Sequence, residues 1–123
     1  MSNTVLYIED DPINRYLVQK LLSSKGYTVY EAEDGEKGLV EADRLVPDLI
    51  LMDLQMPGLD GYEATKQIKS RSHLSHIPII ALTAHALHGE REKCLAAGCD
   101  GFITKPIDTK EFPRQIEAFL THD

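Results

Sequence analysis

Four short apolar runs in this chain of 123 residues each end in groups that could take part in chemistry. "TVLYI" (4–8) leads into Glu9, Asp10 and Asp11, "LILM" (49–52) into Asp53, "IIAL" (79–82) into Thr83, and "GFIT" (101–104) into Lys105. One acid after a strand is ordinary punctuation, because Asp is a common turn residue. Acid, acid, hydroxyl and ammonium at four ends call for a joint explanation. Two carboxylates ~4 Å apart repel by about 4 kcal/mol at an effective dielectric of 20, so a cluster of Glu9, Asp10 and Asp53 needs a proton or a bridging cation. An all-oxygen donor set points to Mg²⁺, with Mn²⁺ as the second choice, held by one or two carboxylates together with waters and a phosphate. A dianionic phosphoryl group would then share its oxygens among the cation, the Lys105 ammonium and the Thr83 hydroxyl. That leaves a carboxylate free to attack phosphorus in line, and Asp53, central in the set, is the candidate nucleophile.

These residues act together only if the fold brings them to one place. The four runs and a fifth, "TVYEA" (28–32), are strand-length and bounded by turn residues. Between them lie segments with helical spacing. In "PINRYLVQKLLSSKG" the residues Ile13, Tyr16, Leu17, Val18, Leu21 and Leu22 read as an apolar face, with Asp11 as cap, Pro12 in the first turn and Gly26 at the exit. Segments 35–46, 61–71, 86–97 and 108–120 repeat the pattern, the last with its start offset or bent by Pro113. Five strands alternating with five helices predict a doubly wound α/β domain with a parallel sheet, because each crossover needs a helix. The 28–32 run carries Glu31 and reads as an edge strand, which favours the order 2-1-3-4-5. In such a sheet the C-terminal strand ends share one edge, where the polar groups should converge.

The bulk composition narrows the function classes. A chain of this length is expected to make one domain, 1–123, with no output domain. It has no apolar run near ~20 residues and no signal-peptide pattern, so a soluble cytoplasmic protein without a membrane role is expected. A net charge of -7, with 13 scattered Lys and Arg residues, argues against direct nucleic-acid binding. Cys94 and Cys99 match neither a redox pair nor a zinc set and read as free thiols. His73, His76, His85, His88 and His122 show no metal-binding spacing.

The segments "VLYIEDDPINR", "DLILMDLQMPGLDG", "IPIIALTAHA" and "DGFITKPI" resemble, in order and spacing, the four signature segments of bacterial response-regulator receiver domains, over nearly the whole chain. The likeness leans toward stand-alone regulators and receivers of hybrid kinases. It implies a flavodoxin-like (βα)5 fold and a role in two-component or phosphorelay signalling. Asp53 would accept a phosphoryl group from a histidine kinase or histidine phosphotransfer protein. Asp10 and Asp53 would ligate Mg²⁺ with the backbone carbonyl of Gln55, and Glu9 would act through water. Thr83 and Lys105 would be the switch hydroxyl and the phosphate-binding lysine, Phe102 the switch aromatic, and Lys105–Pro106 a cis peptide bond. Glu9 departs from the commoner Asp, and Gln55 and His85 stand at positions that set phosphoryl lifetime in the family.

Two other classes compete. A phosphohydrolase of the haloacid dehalogenase type also begins with phospho-Asp but needs a second Asp two residues later as acid and base; this chain has Gln55, which exchanges no proton at neutral pH. A receiver that docks partners without phosphorylation would not need the intact acid, hydroxyl and lysine set. A flavin carrier is weaker, since the loop after the first strand is acidic and would repel a phosphate. The expected output surface for a downstream protein is the 86–97 helix, Phe102 and the last helix with Phe112 and Phe119, although Phe119 reads better as core.

Overall fold

The computed structural model describes residues 3–54, 56, 61–84 and 89–120. Five strands, β1 (Thr4–Ile8), β2 (Thr28–Ala32), β3 (Leu49–Asp53), β4 (Ile79–Thr83) and β5 (Gly101–Thr104), alternate with five helices, α1 (Pro12–Ser23), α2 (Gly35–Leu45), α3 (Gly61–Lys69), α4 (Glu90–Ala97) and α5 (Phe112–Leu120). The sheet is parallel throughout, in the order β2-β1-β3-β4-β5. The doubly wound flavodoxin-like architecture expected from the alternation is therefore the observed one. Both β3 and β4 are buried along their whole length, as their apolar runs 49–52 and 79–82 require when helices cover both faces, and the polar ends Asp53 and Thr83 are buried with them. β2, by contrast, shows only Ala32 fully buried and sits at the edge.

Two hydrophobic layers flank the sheet. On one side α2, α3 and α4 contribute Leu39, Ala42, Ala64, Ile68 and Cys94 against Leu6, Ile8, Ile50, Met52, Ile79 and Ala81. On the other, Val18 and Leu22 of α1 with Phe112 and Ile116 of α5 cover Val5, Tyr7, Leu49, Leu51, Ile80 and Leu82. The strand alternation assigns neighbouring residues to opposite layers, so both cores grip the same five strands.

Four boundaries and one face differ from the sequence reading, among them the start of α4, which is Glu90 behind Gly89 rather than 86. α1 buries Val18 and Leu22, whereas Ile13 and Tyr16 are 76% and 64% exposed. At 100° per residue Ile13 lies about 140° around the helix from Val18, so the six apolar positions were too many for one face. α3 ends at Lys69, two residues early, and α2 at Leu45, where Val46 takes a left-handed conformation at φ 44°. α5 starts at Phe112 rather than 108, because Pro113 has no N–H and belongs in a first turn. The four preceding residues form a turn in which Asp108 Oδ1 accepts from the N–H groups of Lys110 and Glu111 at 2.9 and 3.1 Å. Cys94 and Cys99 are free, as expected, and both are buried; burial holds the Cys99 thiol up at about 12, which keeps it an unreactive core group.

Candidate functional site

Strand register assembles the site before any side chain is considered. Ile8 pairs with Met52, which sets Glu9 beside Asp53; Asp53 itself pairs with Leu82, one residue before Thr83. Thr83 pairs with Thr104, and the Lys105 N–H donates to the Thr83 carbonyl at 2.7 Å. The ends of β1, β3, β4 and β5 thus deliver their polar residues to one edge. Carboxylate oxygens of Glu9, Asp10 and Asp53 lie within 4.8 Å of one another. Glu9 and Asp53 are each 1% exposed, while Asp10 faces solvent. The Lys105 ammonium reaches both buried acids, 3.3 Å from Glu9 Oε1 and 3.2 Å from Asp53 Oδ1. Burial lowers the affinity of Lys105 for its proton, but Asp53 and Glu9 outweigh that and raise its pKa, so it stays charged.

Glu9 is held from several sides. The Tyr7 hydroxyl donates to Glu9 Oε1 at 2.8 Å, Asn14 Nδ2 to the same oxygen at 3.4 Å, and the Asp11 N–H to Oε2 at 3.3 Å. Arg15 donates to the Glu9 carbonyl at 2.7 Å and pairs with Glu31 Oε1 at 3.3 Å, tying α1 to the β1 end and to β2. Burial pushes the Glu9 carboxyl up to about 7, with the neighbouring Asp53 adding to the shift and the Tyr7 hydroxyl and Lys105 partly offsetting it. Tyr7, for its part, is raised by burial and by the adjacent Glu9 charge, so it remains a donor.

A pH dependence follows from that balance. Between the unfolded carboxyl value near 4.5 and the folded value of about 7, the folded state binds more protons than the unfolded state. Stability without metal must then fall as pH rises through this window, by on the order of 1–3 kcal/mol. A divalent cation binds the ionised carboxylates and should cancel the decline. Urea unfolding midpoints at pH 5 and pH 7.5, in EDTA and in Mg²⁺, check this. The midpoint should drop at the higher pH in EDTA only, and a flat or rising midpoint in EDTA contradicts the account.

Other sequence-selected residues fall as follows. Thr83 is fully buried, with its Oγ1 3.5 Å from Glu90 Oε1 at the start of α4. Phe102 is half-buried and carries the Arg91 guanidinium 5.6 Å from its ring centre. The Lys105–Pro106 peptide bond is cis. Gln55 and His85 lie outside the described residues. Phe112, assigned to the output surface, is instead completely buried between α5 and the sheet, since it opens α5 on the inward side. Phe119 is half-buried and packs on that same layer. Sequence reasoning passed over Tyr7, Asn14, Arg15, Tyr62 and Glu90. Tyr7 had a signal, because residues two apart on a strand share a face with Glu9.

This arrangement is a set of hard oxygen donors, one of them open to water, beside a fixed ammonium and a buried hydroxyl. The set suits a small divalent cation and a dianion together, and offers the buried Asp53 carboxylate as the acceptor of a transferred group. Among the described residues no second cluster of three or more acids, Cys or His could hold a metal. A parallel α/β domain with this edge is a phosphoacceptor signalling domain in its construction. The chain belongs to the response regulator receiver domain family, whose model matches residues 5–117. It is 38% identical over 120 residues to the polar-differentiation response regulator DivK of Brucella abortus (strain 2308), covering 98% of each chain. The receiver domain of the sensor histidine kinase PA1611 from Pseudomonas aeruginosa, solved with a magnesium ion in its active-site cleft, is 38% identical and superposes with a TM-score of 0.91 over 99% of this chain and 100% of that one. The chemotaxis response regulator CheY4 of Vibrio cholerae superposes with a TM-score of 0.93 at 28% identity, over 98% of this chain and 100% of that one. Membership sets the chain among signalling receivers rather than phosphohydrolases. No helix among the described residues is long and apolar enough to cross a membrane.

Proposed function

We propose that Asp53 accepts a phosphoryl group from a histidine kinase or histidine phosphotransfer protein, with Mg²⁺ bound by Asp10, Asp53 and the Gln55 carbonyl and with Glu9 acting through water. The carrying observation is the convergence of Glu9, Asp10, Asp53 and Lys105, with the Lys105 ammonium 3.2 Å from Asp53 Oδ1. An Asp53 oxygen attacks phosphorus, the new O–P bond forms as the donor's N–P bond breaks, and the electron pair leaves with the donor nitrogen. Bound Mg²⁺ neutralises the phosphoryl oxygens and the carboxylates that would otherwise repel them. Lys105 pairs with a phosphoryl oxygen, and the Thr83 hydroxyl donates to another. The added charge of about -1.5 to -2 then biases the domain toward a second conformation that a downstream protein reads.

A surface for the donor lies beside the acceptor. A recess of about 330 Å³ lined by Asn14, Leu17, Ala84, Lys105, Pro106 and Ile107 opens between α1 and the segment after β5. Ile13 and Tyr16 stand exposed on the same helix, an apolar pair with no partner in the fold's own core. These features support docking of a donor against α1.

Intact mass after incubation with acetyl phosphate tests the proposal, with Mg²⁺ or EDTA, followed by borohydride reduction and peptide mapping. A phosphate-sized gain that requires Mg²⁺, persists, and leaves homoserine at position 53 is expected. Steady donor hydrolysis without accumulation would favour a phosphohydrolase. No gain from acetyl phosphate or from a phosphorylated histidine phosphotransfer domain would favour a docking module.

A further inference from the structure

We propose that the first turn of α4 clamps the unphosphorylated state, and that Glu90 within it is a positioning residue that competes with the phosphoryl group for the Thr83 hydroxyl. Thr83 Oγ1 donates to Glu90 Oε1 across 3.5 Å, and the same carboxylate oxygen accepts the Tyr62 hydroxyl from α3. The next residue, Arg91, lays its guanidinium over Phe102, 5.6 Å from the ring centre. Consecutive residues of one helical turn therefore hold the hydroxyl assigned above to the phosphoryl group and the aromatic ring assigned as its companion. The inference rests on that assignment of Thr83.

A threonine hydroxyl has one proton to donate. It cannot serve Glu90 and a phosphoryl oxygen on Asp53 together, so the two bonds exclude each other. At 3.5 Å the existing contact is longer than the roughly 2.5–3.0 Å of an ordinary O–H···O bond, which makes it weak and breakable, whereas Tyr62 fixes the carboxylate that receives it. A phosphoryl oxygen is a charged acceptor and forms the shorter, stronger bond. While Thr83 is turned to Glu90 the site lacks one of its donors, and apparent affinity for a phosphoryl group falls by the fraction of molecules so held. When Thr83 leaves, Glu90 keeps its tie to Tyr62 of α3, and the α4 start loses this link to the site. Glu90 thus sets the resting population as well as carrying the change outward.

The test uses Mg²⁺ and beryllofluoride, a phosphoryl mimic, titrated into the whole chain by calorimetry. Glu90→Ala should bind about two- to ten-fold more tightly than wild type. Removing a negative charge could tighten anion binding by itself, so the same substitution is made in a Thr83→Ala background, where it should change affinity little. An equal gain in both backgrounds, or none in either, overturns the clamp. A second readout needs no mimic: three-bond NMR couplings of Thr83 in the unphosphorylated chain should report one side-chain rotamer in wild type and averaging in Glu90→Ala. An unchanged rotamer also overturns it. Failure of wild type to bind the mimic would count against the proposed function instead, with the rotamer measurement still deciding the clamp.

Discussion

The Asp53→Asn protein should take up no phosphoryl group from acetyl phosphate and, in EDTA at pH 7.5, should unfold at a higher urea concentration than wild type. Loss of uptake follows from chemistry, since the amide oxygen that replaces the carboxylate is a poor nucleophile. The stability gain follows from electrostatics. Asp53 and Glu9 are both 1% exposed, and the Asp53 charge is one of the causes that raise the Glu9 carboxyl to about 7. Asn is nearly isosteric and carries no charge, so Glu9 can ionise with less repulsion while Lys105 still sits 3.3 Å from its Oε1. A gain on the order of 1 kcal/mol is expected, of the kind obtained when an active-site strain is removed at the expense of function. Mass spectrometry and urea titration of the two proteins suffice. Undiminished phosphate uptake would move the acceptor elsewhere, and a loss of stability would mean that the Lys105–Asp53 attraction exceeds the repulsion between the acids.

Gly61→Ala should be more damaging than Gly38→Ala or Gly101→Ala. A Cβ there would lie 2.6 Å from the Asp53 carbonyl oxygen and 2.8 Å from Leu54 Cα, both backbone atoms at the end of β3. Backbone cannot rotate aside as a side chain can, so either α3 or the strand end must shift. The comparable contacts at Gly38 and Gly101 are with side-chain atoms, Ile8 Cδ1 at 2.5 Å and Phe119 Cζ at 2.5 Å. Phe119 is only half-buried and can move, whereas Ile8 is fully buried. The expected order of destabilisation for Ala is Gly61, then Gly38, then Gly101, with about 1–3 kcal/mol or more at Gly61. Urea unfolding of the three variants gives the order, and acetyl phosphate uptake should fall most in Gly61→Ala because the shifted atom belongs to Asp53. If Gly61→Ala unfolds and phosphorylates like wild type, the close approach of α3 to the strand end is not the constraint argued here.

The sheet and its polar edge were legible because both depend on short-range patterns. Apolar runs of strand length fix β1, β3, β4 and β5, and the residue that ends each run is read directly from the chain, so convergence follows once the strands are parallel. Helix faces were less legible: α1 holds six apolar residues, and only their angular positions separate the buried Val18 and Leu22 from the exposed Ile13 and Tyr16. Phe112 was misplaced for a related reason, since a helix start moved by a proline-bearing turn moves the inward face with it. Least legible were contacts made across elements. Tyr62 and Glu90 are 28 residues apart, and no local pattern says that a tyrosine of α3 meets an acid of α4 beneath the buried Thr83. Gly61 reads in the sequence as the start of a helical segment, and its closeness to the Asp53 carbonyl appears only in three dimensions.

The sheet also works as a partition. α1 and α5 share one side with Val5, Tyr7 and Leu82, while α2, α3 and α4 share the other with Ile8, Met52 and Ala81. The exposed Ile13 and Tyr16 belong to the first side, and the Tyr62, Glu90 and Arg91 contacts to the second. On the function proposed above, the two sides should be separable: substitutions on the outer face of α1 should alter uptake from a protein donor while leaving uptake from acetyl phosphate unchanged, and substitutions on α4 should leave uptake from that donor unchanged.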